Sequence, residues 1–197
     1  MPVKKKITLD RRKVVSRILK HRNDTLLVTG LGAPTWDAAA AGDHPNNFYL
    51  WGGMGGAVPI GLGLALAQSK RRVLVITGDG EMLMGLGGLA TVAVQKPSNL
   101  AICVIDNQRY GETGMQDTHT EFGVDLPAMA RGAGFAETIM VFTNKELGVA
   151  VPKLYDARGP VFVNVKVTDE AQPMKLPLRD GPTIKHRFRD AVLGGEQ

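Results

Sequence analysis

Residues 73–114 hold the side chains whose types and spacing carry chemistry. An apolar run at 73–77 ends in Gly78-Asp79-Gly80, a glycine-studded stretch follows, and a second apolar run at 100–105 ends in Asp106-Asn107. In a parallel sheet, ligands sit beyond the carboxyl ends of the strands. An acid at one strand end and an amide at another, with 26 residues between Gly80 and Asn107, can converge on one hard cation. A carboxylate, a side-chain carbonyl and a backbone carbonyl from the following turn suit Mg2+, which takes six oxygens and leaves places for phosphate oxygens and water. Gly78 and Gly80 let the backbone approach those phosphates closely. Alone, Gly78-Asp79-Gly80 reads as a tight turn after a strand; the spacing to Asn107 points to a metal-diphosphate site.

The chain that must position these groups has 197 residues, 44% of them hydrophobic and 22% charged, enough for one ordinary core. Its single cysteine, Cys103, lies inside an apolar run, which excludes a disulfide framework and a cysteine-based metal or iron–sulfur site. A reducing cytoplasmic setting is expected. The N-terminus lacks the apolar stretch of a signal peptide, and no run approaches the roughly 18 apolar residues of a membrane span. The net charge is +5, with basic clusters at residues 4–13 and 185–189. No aromatic-interleaved basic face accompanies them, so an anionic cofactor, substrate or acidic partner is expected rather than nucleic acid.

Apolar strands alternate with helical segments along the chain, which predicts a three-layer α/β/α domain with a mostly parallel sheet. A basic helix over residues 9–21, capped by Thr8, comes first. The strand at 25–29 then meets Gly30-Leu31-Gly32-Ala33-Pro34-Thr35 and a helix over 36–41, a strand–loop–helix cradle whose free amides attract phosphate. A strand at 47–50 leads into Trp51-Gly52-Gly53-Met54-Gly55-Gly56, and residues 57–68 are apolar almost all round, as in a helix buried between layers or subunits. One helix is expected over 81–94. Residues 107–124 have no clear periodicity and are too long for a plain connector, so they form a candidate active-site loop, from which His119 could contact an anionic substrate. Helix 126–132, strand 136–141, helix 145–156 and strand 161–167 complete the domain. Three divisions result: a basic helix to residue 24, a core of 25–168, and an extended tail of 169–197 that closes with a small helix at 188–193 and reaches for a neighbouring subunit. Trp36, Trp51 and Cys103 read as packing residues.

In these positions the chain resembles the thiamine diphosphate enzymes, in the domain that binds the diphosphate. Gly-Asp-Gly followed at this spacing by an Asn at a strand end is that superfamily's signature. Gly52-x-Met54-Gly, followed by Pro59-Ile60-Gly-Leu-Gly-Leu-Ala, looks like the segment that holds the cofactor bent. Asp106-Asn107-x-x-Tyr110-Gly111-x-Thr113-Gly114-x-Gln116 is similar to a loop of sulfopyruvate and phosphonopyruvate decarboxylases. The resemblance spans residues 25–167 and implies thiamine diphosphate and Mg2+ as cofactors. It implies Mg2+ on Asp79, the Asn107 side chain and the Arg109 carbonyl. Met54 becomes the wedge between the cofactor's rings, and the Gly52 carbonyl accepts from the aminopyrimidine. The diphosphate falls to the amides of Gly80 and Glu81 and to the loop with Gly30, Gly32 and Thr35, while Gly78, Tyr110 and Gly111 shape the site. Asp106 departs from a frequent Asn pair, and Glu81 and Glu112 stand where relatives often carry small residues.

The resemblance further implies a missing half. In these enzymes a second, pyrimidine-binding domain carries the glutamate that activates the cofactor, and nothing ahead of residue 25 resembles it. A separately encoded alpha subunit is therefore expected, with this chain as beta, in a heterotetramer of two alpha and two beta subunits or a larger assembly. The expected reaction is decarboxylation of a small anionic 2-oxo acid such as sulfopyruvate or phosphonopyruvate. The alternatives are the beta subunit of a 2-oxoacid:ferredoxin oxidoreductase, a carboligase or acyl transferase, and a non-catalytic cofactor-binding module.

Overall fold

Four runs of consecutively buried residues, 26–29, 73–77, 100–106 and 161–166, set the architecture, because a strand hidden on both faces needs helices on both. In the computed structural model, which describes residues 6–194, the strands are β1 (Leu26–Thr29), β2 (Asn47–Tyr49), β3 (Val73–Gly78), β4 (Leu100–Asp106), β5 (Arg109–Tyr110), β6 (Gln116–Asp117), β7 (Glu137–Val141) and β8 (Val161–Lys166). Six of them form one all-parallel sheet in the order β2-β1-β3-β4-β8-β7, and β5 and β6 make a small antiparallel hairpin. The helices are α1 (Arg11–Leu19), α2 (Ala33–Ala41), α3 (Ala57–Ala67), α4 (Asp79–Met84), α5 (Gly88–Gln95), α6 (Leu126–Ala133), α7 (Asn144–Asp156) and α8 (Gly181–Leu193).

Strand side chains alternate between two cores. Leu27, Leu74, Ile76, Cys103 and Val163 pack with Val15 and Ile18 of α1, Ala38 of α2 and Leu147 and Leu154 of α7. Val28, Val75, Ile102, Val104 and Phe162 pack on the other face with Val58 and Leu62 of α3, Met82 of α4, Leu89 and Val92 of α5 and Leu126 of α6. This is the expected three-layer α/β/α arrangement. Among the described residues no helix is long and apolar enough to cross a membrane. Lys4 and Lys5 of the expected N-terminal basic cluster lie outside the described residues.

Three local expectations are corrected. The cap of α1 is Asp10, whose carboxylate accepts the Lys13 amide at 3.0 Å, rather than Thr8. The helix expected over 81–94 is two helices broken across residues 85–87, because the Gly85 backbone lies against Gly55 so closely that an added Cβ would stand 2.4 Å from the Gly55 carbonyl oxygen. The C-terminal helix is longer than expected, spanning Gly181–Leu193 rather than 188–193. Asp180 caps it, Phe188 meets Phe48 at 5.4 Å between ring centroids, and Arg187 pairs with Asp43 at 2.6 Å. Trp51 donates from its indole to the Leu178 carbonyl at 3.2 Å, tying down the extended segment that leads into α8.

Candidate functional site

Register places the reactive groups. Gly78 of β3 pairs with Ile105 of β4, and Asp106 pairs with Lys166 of β8, so Asp79, Asp106 and Lys166 stand side by side across three strand ends. All three are nearly inaccessible to solvent. Lys166 Nζ meets Asp106 Oδ2 at 2.7 Å, and Asn164 Nδ2 donates to the same oxygen at 2.9 Å. The chain returning from the β5–β6 hairpin adds two hydroxyls: Thr118 donates to Asp79 Oδ2 at 2.5 Å, and Thr120 lies 2.7 Å from Asp106 Oδ1 and 3.3 Å from Asp79 Oδ2.

Asp106 thus has its own ammonium, whereas Asp79 is met by hydroxyls and, among the described residues, by no ion-pairing side chain. Burial, and after it the charge of Asp106, push the Asp79 carboxyl upward, against the pull of Thr118 and Lys166. A buried carboxylate in that position is a donor that a divalent cation would favour. Beyond β4, Gln108 takes a left-handed conformation (φ 63°), and the Asn107 side-chain carbonyl accepts the Arg109 amide at 3.1 Å across that turn. The Arg109 side chain is occupied by Asp117, Glu121 and Asp169. Among the described residues no three His, Cys, Asp or Glu side chains converge on a metal-sized point. The oxygens available are one carboxylate, one amide and the backbone, a hard donor set that fits Mg2+ with phosphate and water completing it.

These groups open into a cavity of about 370 Å³. Gly32, Met54, Gly78, Asp79, Gly80, Glu81, Asn107, Arg109, Tyr110 and Gly111 all line it, so most of the sequence-predicted residues are brought together. Gly80 is required at its position: an added Cβ would stand 2.6 Å from the Tyr110 ring and 3.6 Å from Met54 Cε, the two side chains that close over it. Four predicted residues do not line the cavity. Thr35 is buried with its hydroxyl turned to Thr29 Oγ1 at 2.5 Å and the Gly30 carbonyl at 2.7 Å, where it holds the loop from behind. Gly30 is in that second layer too, Gly52 is exposed before Met54, and His119 is exposed.

The cavity also has walls that sequence reasoning missed. Arg11, from α1, reaches its rim while bonded to Asp37 of α2 at 2.5 Å, and Arg12 meets the other oxygen of Asp37 at 3.0 Å. The Asp37 side chain is fully inaccessible, and the two guanidiniums compensate its buried charge. Glu112 lies against that loop, its Oε1 only 2.8 Å from where a Gly32 Cβ would be, and Gly32 has φ 77°. Arg11 and Asp37 are separated by a strand and a loop, and no pattern within either helix pairs them.

Comparison with known proteins agrees with this geometry. Residues 32–165 match the family described as thiamine pyrophosphate enzyme, C-terminal TPP binding domain. The chain is 38% identical over 192 residues to the sulfopyruvate decarboxylase subunit beta of Methanothermobacter thermautotrophicus, covering 96% of this chain and 98% of that one. It is 39% identical to the Methanocaldococcus jannaschii protein of the same name, over 91% of this chain and 95% of that one. It is 35% identical to the phosphonopyruvate decarboxylase of Streptomyces viridochromogenes, over 86% of this chain but 42% of the longer relative. Among solved structures, the benzoylformate decarboxylase of Polynucleobacter necessarius superposes with a TM-score of 0.69 at 22% identity, covering 83% of this chain and 33% of that one, which supports the fold. The chain therefore belongs to the thiamine pyrophosphate enzymes, as a diphosphate-binding subunit of the decarboxylase type.

Proposed function

We propose that this chain is the beta subunit of a two-subunit decarboxylase that acts on a small anionic 2-oxo acid with thiamine diphosphate and Mg2+. The observation that carries the reading is the convergence of Asp79, Asn107, the Gly32 loop and Met54 on one cavity at the strand ends. Asp79, the Asn107 side chain and the Arg109 carbonyl would hold Mg2+, while the amides of Gly80 and Glu81 and the 30–35 loop would hold the diphosphate. Met54 and Tyr110, closing over Gly80, would fix the bend of the cofactor and keep water from its reactive face. Thiamine diphosphate, when bound, supplies the electron sink that lets carbon dioxide leave a 2-oxo acid.

The activating glutamate is assigned to a separate alpha subunit, which would cover the open side of the cavity in an assembly of two alpha and two beta subunits. Similarity over nearly the whole chain to sulfopyruvate decarboxylase beta subunits favours a substrate with a second anionic group, sulfonate or phosphonate, beside its carboxylate. The test is co-expression with candidate pyrimidine-domain subunits, followed by a panel of 2-oxo acids assayed for released carbon dioxide. Turnover of a dianionic substrate only when both chains are present is expected. Robust turnover by this chain alone would overturn the two-subunit reading. Asp79→Ala in the assembled enzyme is expected to abolish Mg2+-dependent cofactor binding by calorimetry; normal affinity would place the metal elsewhere.

A further inference from the structure

Glu81 stands where the resemblance anticipates a small residue, and its side chain is buried at 4% exposure rather than extended to solvent. Its Oε2 accepts the Thr77 hydroxyl of β3 at 2.6 Å, and its Oε1 accepts the Ala57 amide at 3.3 Å. The backbone amides of Leu31 and Gly55 help hold the carboxyl down against the burial that raises it. The carboxylate lies on the Gly30 Cα so closely that a Cβ there would stand 1.5 Å from Oε2. Among the described residues Glu81 makes no ion pair, so backbone dipoles and one hydroxyl do the work a cation would otherwise do.

The backbone groups around the carboxylate come from different loops. Leu31 belongs to the loop that enters α2, and Gly55 and Ala57 flank the turn that carries Met54 into α3. Among the described residues no backbone hydrogen bond joins the two loops, and both open onto the same cavity. We propose that the Glu81 carboxylate is a positioning strut: it locks the phosphate loop at 30–33 and the Met54 loop at 53–57 to each other and to β3, so that a side chain two residues after Asp79 sets the spacing between the diphosphate end and the wedge end of the cofactor pocket. The carboxylate is engaged by Thr77, Ala57 and the Gly30 backbone and acts through the loops, not on the cofactor's reacting atoms. The functional part of this inference rests on the cofactor site proposed above; the mechanical part does not.

The test separates them. Hydrogen exchange on this chain, wild type against Glu81→Ala and Glu81→Gln, reads the loops without any assay of activity. Loss of charge-assisted bonds to backbone amides is expected to raise exchange about 10-fold or more in peptides over 30–35 and 53–57 together in Glu81→Ala, with β3 at 73–77 unchanged. Glu81→Gln is expected to recover most of the protection, because its amide oxygen can keep the Ala57 bond while its NH2 group donates to the Thr77 hydroxyl. Exchange raised in one loop alone, in neither, or across the whole chain would overturn the strut. In the assembled enzyme, Glu81→Ala is expected to weaken thiamine diphosphate binding about 10-fold and to lower kcat even at saturating cofactor, with Glu81→Gln intermediate. Both loops loosened with cofactor affinity unchanged would keep the strut and overturn the cofactor site.

Discussion

At the scale of single residues, the asymmetry between Asp79 and Asp106 governs the site. Both are buried, but Asp106 has Lys166 at 2.7 Å, so Asp79 alone is left to a cation from outside the chain. Removing the ammonium should leave Asp106 buried and uncompensated beside a second carboxylate. Lys166→Met is expected to lower stability by roughly 3–5 kcal/mol, read from the shift of a urea midpoint. A different residue should prove inert: burial pushes the Cys103 thiol up to about 12, so almost no thiolate exists near neutral pH. A disulfide reagent at about pH 8 is expected to leave native protein unmodified and to titrate one thiol after unfolding. Asp79 and Asn107 were legible because each directly follows an apolar strand. Lys166, Thr118 and Thr120 were not, since only strand order and the return of the hairpin bring them to the same point, and neither was the Arg11–Asp37 pair, which only the packing of α1 on α2 makes.

At the scale of elements, the break between α4 and α5 is the feature that hydrophobic pattern could not locate. The residues on either side keep a helical pattern, and what interrupts it is the Gly55 backbone, contributed by another loop. Two neighbouring glycines should therefore respond oppositely to the same change. Gly85→Ala would press a methyl onto the Gly55 carbonyl and is expected to cost about 1–3 kcal/mol and to weaken cofactor binding by moving the Met54 loop. Gly87 has φ −59° and open space around its Cα, so Gly87→Ala is expected to stabilise by about 0.4–1 kcal/mol without affecting binding. Thermal denaturation with and without cofactor would distinguish them. The parallel sheet itself was readable because its central strands are apolar on both faces, whereas the short β5–β6 hairpin has too few residues to show any period.

At the scale of the whole molecule, the first and last helices are bound into the domain rather than appended to it. The Tyr155 hydroxyl of α7 donates to the Ile18 carbonyl at 2.7 Å, and Arg71 donates to the Ala191 carbonyl at 3.1 Å, so both ends of the described chain are held by its middle. Composition could flag the proline-bearing tail as extended, but not that Phe48 and Asp43 would receive α8, because those partners lie at the opposite end of the sequence. The presence of Arg11 at the cavity rim has a consequence for dissection of the protein. A chain shortened to begin at Thr25 would keep every residue of the metal-diphosphate signature, yet Asp37 would lose both guanidiniums and the cavity would lose one wall. Such a fragment is expected to be insoluble or molten by near-ultraviolet circular dichroism, while one beginning at residue 8 should fold. The segment that matches the family, residues 32–165, is thus expected to be smaller than the segment that folds.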